Sequence, residues 1–333
     1  MKNLRLQLLF LAVLLCSCTK KEAFVISFAS CNNQNIPNKL WSPILSHEPD
    51  LFIWGGDIIY SDTENMVLMR ENYQRMKEDA AYSTFRKKVP VIGTWDDHDY
   101  GLNDGGANYL KKDSVQQIFL DFFDLEPNHR RRKQKGIYEL HTYSAHGASI
   151  NVIVLDTRYF RSDLSKDPSG EKRYIPNEDE EATMLGKSQW QWLEKVLTNS
   201  DAQFNIIVRS IQFLSYEHGF ESWGTMPKEV EKMKNLIVKS QARGVVFLSG
   251  DRHIAEISKI DIQGLDYPLI DFTSSGMTHS YSSFSGEPNP YRIGEVVSEK
   301  NFGLLIIDLK ENKIQMEIRG EENVLFEELI QKY

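Results

Sequence analysis

A chain of 333 residues with 41% hydrophobic and 11% aromatic content carries enough apolar material for one large core. Its net charge of −8 offers no sequence-independent attraction to nucleic acid or anionic lipid, which argues against a basic nucleic-acid binder.

At the amino terminus, Lys2 and Arg5 precede an apolar stretch from Leu8 to Leu15 and then Leu15-Cys16-Ser17-Cys18. That order of charge, apolar core and small residues is the order of a secretory signal, and it is too short to span a bilayer as a mature helix. It resembles a bacterial lipoprotein signal, with residues 1–17 removed, Cys18 lipidated and residues 18–23 forming a polar tether; an ordinary cleaved signal is the alternative. The lipoprotein reading implies an exported protein, held to a membrane through its lipid alone, on the periplasmic or cell-surface side. Cys31 is then the only thiol left and has no intramolecular disulfide partner. It is either a small buried hydrophobe or a thiolate ligand.

Past the tether, apolar β-prone runs at 24–28, 50–54, 89–92, 149–155, 204–208, 244–248 and 268–272 alternate with helical patterns, which indicates an α/β fold. Runs at 302–307 and 314–318 flank Glu311-Asn312 and predict a terminal antiparallel hairpin. Helical periodicity predicts helices over 65–77, 114–123, 188–197 with Ser188 as N-cap, and 229–242. The segments 101–107, 163–181 and 277–290 are rich in Gly, Asn, Pro, Ser or charge and read as loops. The basic run His129 to Lys133 reads as a solvated loop, with phosphate binding as the lesser alternative.

Four polar clusters sit at the exits of these runs: Ser30-Cys31, Gly56-Asp57 through Tyr60, Asp96-Asp97-His98-Asp99 and Gly250-Asp251-Arg252-His253. In α/β folds, ligands collect outside the carboxyl ends of strands, so these side chains are expected on one rim. Thiolate, phenolate and imidazole around one site suit ferric iron, whereas carboxylates alone suit calcium, magnesium or manganese. Two unlike ions bridged by Asp57 follow. His98, beside Asp97, is either a ligand or a proton donor to a leaving oxygen.

The segments Phe28-Ala29-Ser30-Cys31, Gly55-Gly56-Asp57-Ile58-Ile59-Tyr60, Thr94 through Asp104, Leu155-Asp156-Thr157-Arg158 and Ser249-Gly250-Asp251-Arg252-His253 resemble, in order, the alkaline phosphatase D (PhoD-like) metallophosphatase family. The resemblance implies a four-layer α/β/β/α sandwich in a single catalytic domain over 24–320, with 321–333 as a C-terminal tail. It implies hydrolysis of phosphate esters by Fe3+ and Ca2+, with other divalent ions possible at the second site. Carried over residue by residue, it places Cys31, Asp57, Tyr60 and His253 on iron, Asp57, Asp97 and Asp251 on calcium, and His98 over the substrate. Arg158 is a phosphate clamp or a salt-bridge residue, and Gln212 lies where other metallophosphatases place a histidine ligand.

The expected protein is thus a monomeric phosphomonoesterase acting outside the cytoplasm. A phosphodiesterase acting on lipid or cell-wall phosphodiesters is the first alternative. A non-catalytic, metal-stabilised surface binding lipoprotein is the second.

Overall fold

The structure is a computed structural model that describes residues 23–145 and 147–333; the expected signal, Cys18 and most of the tether lie outside the described residues, as does His146. In chain order the elements are β1 (Phe24–Ala29), α1 (Trp41–Ser46), β2 (Leu51–Gly55), α2 (Met66–Glu78), α3 (Ala80–Arg86), β3 (Val91–Thr94), α4 (Asp97–Tyr100) and α5 (Lys112–Phe122). The chain continues through β4 (Glu139–Ala145), β5 (Ala148–Val154), β6 (Ser165–Lys166), β7 (Tyr174–Ile175), α6 (Gly186–Thr198), β8 (Phe204–Val208) and α7 (Pro227–Ser240). It closes with β9 (Val245–Ser249), β10 (Ala255–Ile260), β11 (Leu269–Ser274), β12 (Arg292–Val297), β13 (Asn301–Asp308), β14 (Lys313–Gly320) and β15 (Leu325–Lys332).

Two mixed sheets carry the fold, ordered β15-β14-β13-β1-β2-β3 and β12-β10-β11-β9-β8-β5-β4. Period-two alternation explains why the central runs are apolar throughout. In β2, Leu51 and Ile53 face the opposite sheet while Phe52 and Trp54 face the helices; in β9, Val246 and Leu248 face inward while Val245 and Phe247 face outward. The outer face of the first sheet is covered by apolar side chains of α1, α2, α3 and α5, such as Trp41, Tyr73, Phe85 and Phe119. The second is covered by Leu193 and Leu197 of α6 and by Met233 and Ile237 of α7. The result is the four-layer sandwich expected from the sequence.

The local signals worked where side chains cap or end elements. Asn65 accepts hydrogen bonds from the amides of Val67 and Leu68 and opens α2, and Pro227 occupies the first turn of α7, where its missing N–H costs nothing. Three expectations shift. α6 begins at Gly186 rather than behind a Ser188 cap, because the Gln189 side chain is drawn inward, accepting from the Asp156 amide and donating to its carbonyl. β3 runs on to Thr94, so the Asp96-Asp97 pair leaves the sheet almost directly. Residues 325–332, expected in a tail, form β15 and pair antiparallel with β14 at the sheet edge. Its charged Glu327, Glu328 and Lys332 are the kind of residues that blunt an exposed edge.

Across the inter-sheet core, Phe28 of β1 meets Phe272 of β11 edge-on, with centroids 4.8 Å apart at 83°, and both rings are fully buried. Phe28→Ala leaves a cavity between the sheets and is expected to cost about 3–5 kcal/mol, measured as a shifted urea midpoint. A loss under about 1 kcal/mol would mean that the sheets close over the gap.

Candidate metal centre

Parallel pairing of β1, β2 and β3 in one sheet and of β5, β8, β9 and β11 in the other points all their carboxyl ends to one pole. Glycines let the strand exits approach there. A Cβ on Gly250 would lie 2.5 Å from Ser30 Oγ and 2.7 Å from the Gly55 carbonyl oxygen, and one on Gly56 would lie 2.6 Å from the Cβ of Asp96. The chain also bends sharply at the functional side chains themselves. Cys31, Asp57, Asp62, Asp104, Asp251 and His253 all have positive φ, between 40° and 70°, a conformation that side chains other than glycine adopt only when their surroundings enforce it.

Three overlapping donor groups result, each with its ligand atoms within 4.8 Å of one another: Cys31, Asp57 and His253; Asp57, Asp97 and His98; and Asp96, Asp97 and Asp251. Asp57 joins the first two groups and Asp97 the last two. Tyr60 completes the first, its hydroxyl 2.9 Å from His253 Nε2 and 3.5 Å from Asp57 Oδ2, while Cys31 Sγ is also 3.5 Å from Asp57 Oδ2. The six donors assigned to metal in the sequence therefore lie close together, but Asp57, Asp97 and Asp251 fall into two groups, one completed by His98 and the other by Asp96.

These donors are buried, and their proton affinities record it. Burial, with Asp57 and Asp251 nearby, pushes the Cys31 thiol well up, and burial with the neighbouring Asp96 and Asp97 does the same to Asp57. Burial pushes Asp251 up to about 7 and His253 down to about 4, the latter helped by His279 and His98. Asp97 goes the other way. Burial disfavours its charge, but Arg158, His98 and the amides of Asp104 and His98 outweigh it. Asp96 Oδ2 is buried without a hydrogen-bond partner among the described residues. A pocket of anionic donors and one neutral imidazole that lacks enough local positive charge fits metal cations.

His98 stands at the edge of this cluster. Its Nδ1 donates to Asp62 Oδ2 at 2.7 Å, its ring stacks on Tyr60 at 4.2 Å, and its Nε2 lies 4.0 Å from Asp97 Oδ1. Burial opposes its charge, but the Asp62 hydrogen bond and the Asp57, Asp97 and Asp62 carboxylates raise the ring to about 10. A cavity of about 400 Å3 opens over the site, lined by Asp97, His98, Asp104, Arg173, Arg252 and Tyr281 among others. A larger groove between α6 and α7 contains none of the clustered residues.

Arg158 is not at that opening. It is 0% exposed, its Nε donating to Asp96 Oδ1 and its Nη1 to Glu221 Oε2, both at 2.6 Å. The phosphate-clamp reading gives way to the salt-bridge one, since no substrate oxygen reaches a guanidinium sealed behind two carboxylates. Half-exposed Arg173, beside Asp104, and Arg252, held by Glu287 at 2.7 Å, are the cations at the mouth. Gln212, in the loop after β8, is buried against the sheet, donating to Glu256 and Thr273, outside every donor group. Among the described residues, a further histidine, His279, reaches the site, packing on Tyr60 and His253. The basic run is less solvated than expected, because Arg131 is buried against Glu139. Asp62, Arg173, Glu221 and Tyr281 had no local signal, since each acts through a partner distant in sequence, while Asp96 lay in a flagged cluster but received no role.

The sequence profile of the PhoD-like phosphatases matches residues 24–317. Alkaline phosphatase D of Bacillus subtilis (strain 168) is 28% identical over 214 residues, which cover 58% of this chain and about a third (36%) of that protein's length. A solved structure of PhoD superposes with a TM-score of 0.74 at 20% identity, covering 94% of this chain and 69% of that one. GAP50, described as the anchor in the inner membrane complex of Plasmodium, gives 0.61 at 11% identity (94% and 89% covered), and a dimetal phosphatase from Danio rerio gives 0.53 at 14% (94% and 100% covered). At these identities the three structures speak for the fold, which hosts an anchor as well as enzymes.

Arg158→Gln strands Asp96 and Glu221 as buried, unpaired carboxylates and is expected to cost about 3–5 kcal/mol of stability by denaturant titration. A residue that only clamped substrate would instead raise KM at unchanged stability. The raised Asp251 gives a second test. In metal-free protein the folded carboxyl holds its proton up to about 7 while the unfolded one loses it near 3.8, so the group weakens folding progressively as pH rises between those values. Asp251→Asn in chelator-treated protein should gain melting temperature over the native chain across that window and level off above it. Parallel melting curves would contradict this.

Proposed function

The chain belongs to the PhoD-like phosphatase family, and from that premise we propose that it hydrolyses phosphate esters at this centre, phosphomonoesters first, through two unlike metal ions. The observation that carries the proposal is the division of donors: sulfur, phenol and the His253 imidazole gather around one side of Asp57, and carboxylates around Asp97 and Asp251, with His98 at the edge of the Asp57–Asp97 pair. The first set suits Fe3+ and the second Ca2+ or another hard divalent ion. Bound there, the pair would supply Lewis acidity toward the phosphoryl oxygens and an activated water for in-line attack.

The chain's own residues do the rest. Asp62 accepts the Nδ1 proton of His98 and so fixes its tautomer and ring plane, and the Tyr60 stack holds the other face. That leaves Nε2, 4.0 Å from Asp97 Oδ1 on a side chain that lines the cavity, to pass a proton to a leaving-group oxygen. Arg158 pairs with Asp96 and holds it in place behind the centre. Arg173 and Arg252 at the mouth favour an anionic substrate. The same reading takes the protein to act outside the cytoplasm as a monomer, held to a membrane by acyl chains on Cys18.

Release of nitrophenol from mono- and bis-nitrophenyl phosphate, with and without chelator, tests it. Turnover of the monoester that chelation abolishes is expected, and His98→Ala should lower turnover about a hundred-fold or more with both metals still bound. Turnover undiminished by complete metal removal would overturn the proposal. Metal lost together with activity in His98→Ala would make His98 a ligand instead.

A further inference from the structure

The topology fixes where the site sits relative to the chain's entry, and it separates two substrate classes. Resting on the anchor proposed above, we infer that the active-site mouth faces away from the bilayer that holds the protein, so that the substrates are water-soluble phosphate esters and not the lipid head groups of that bilayer.

β1 starts at Phe24 and ends one residue before Ser30-Cys31, so the entry point and the metal centre lie at opposite ends of the same strand. Six residues at about 3.3 Å each put them about 20 Å apart along it. The entry pole is well defined. The Val25 amide donates to Asp50 Oδ2 at 2.8 Å, and Gln203 Nε2 donates to the Leu309 carbonyl at 2.8 Å and to Asn312 Oδ1 at 2.9 Å. The Tyr333 amide donates to the Asn312 carbonyl at 2.9 Å. The starts of β1, β2 and β8, the β13–β14 turn and the last residue thus share one end of the sandwich. The site, with the 101–110 loop that carries Asp104, occupies the other.

From Cys18 to Phe24 the chain has six peptide steps and a contour of about 20 Å at most. A domain of this size has a radius of gyration of about 20 Å and a diameter of about 50 Å. Turning the mouth onto the bilayer would require the tether to run from the entry pole around the whole domain, more than twice its reach. The molecule can stand upright or lie on its side; it cannot invert. Lying on its side, it still holds the mouth about 25 Å, one radius, above the surface.

The test uses the full lipidated chain on vesicles, labelled at one added thiol, with a lipid-borne acceptor dye. Cys31 is buried and Cys18 acylated, so labelling is directed to Leu110→Cys, which is 92% exposed at the end of the loop that carries Asp104, or to Lys310→Cys, exposed in the β13–β14 turn. Transfer is expected to be strong from position 310 and weak from position 110, and nitrophenyl phosphate in solution should be turned over while phosphatidic acid in the same vesicles releases no phosphate. Equal or stronger transfer from position 110, or phosphate released from the vesicle lipid, would overturn the orientation. A chain that does not partition onto vesicles would overturn the anchor, and the orientation with it. A bound chain inactive on the soluble ester would overturn the proposed chemistry, while the two transfer signals would still decide the orientation.

Discussion

Like charge concentrated in a dry place is the constraint on which this molecule depends. Asp57, Asp96, Asp97 and Asp251, with the Cys31 thiol among them, bring their donor atoms within 4.8 Å of one another in three linked groups. At an effective dielectric of about 20, each ionised pair at such a distance repels by about 3 kcal/mol or more, which several times over equals the whole stability of an ordinary domain. Arg158 relieves Asp96 and, with the amides of His98 and Asp104, lets Asp97 ionise. Burial outweighs the partial relief that His98 gives Asp57, Arg158 gives Asp96 and Arg252 gives Asp251, and all three carboxyls are held protonated above the usual range. Cations are the natural complement.

The scaffold makes this arrangement possible by being rigid everywhere else. Two sheets with apolar side chains on both faces hold the strand exits in register, and three apolar cores lock the layers. Six site residues can then be kept at positive φ, because each short loop is pinned at both ends by a packed element. Asp99 illustrates the pinning. Its carboxylate takes the Asp96 amide at 2.6 Å and the Ile58 amide at 3.0 Å, tying the loop after β2 to the loop after β3. A catalytic arrangement on loops thereby gains the precision of one built on strands.

Most of the central strands and the donors that follow them were legible in the chain. A strand buried on both faces writes itself as an unbroken apolar run, and a polar cluster directly after it marks the carboxyl end. Elements at the margins were not legible. β4, β12 and β15 are edge strands with mixed exposure, and β10 carries polar Glu256, Ser258 and Lys259 between its apolar residues, so none shows a clean period. α1, α3 and α4 are too short for helical periodicity to register.

The sequence alone determined the alternation of strands and helices, the order of the motifs and the donor types on each side of Asp57. Those properties depend on residue identity and on spacing within one segment, which a linear chain displays. Only the tertiary structure decided which basic group stands at the mouth of the cavity and which is sealed away. Arg158 and Arg173 look alike in the chain, but one is buried between Asp96 and Glu221 and the other stands at the mouth beside Asp104. The pairing of His98 with Asp62, the burial of Gln212 against the sheet and the separation of the entry pole from the candidate metal centre were decided there too. Each depends on contacts between segments tens to hundreds of residues apart, and such contacts exist only once the two sheets have closed on one another.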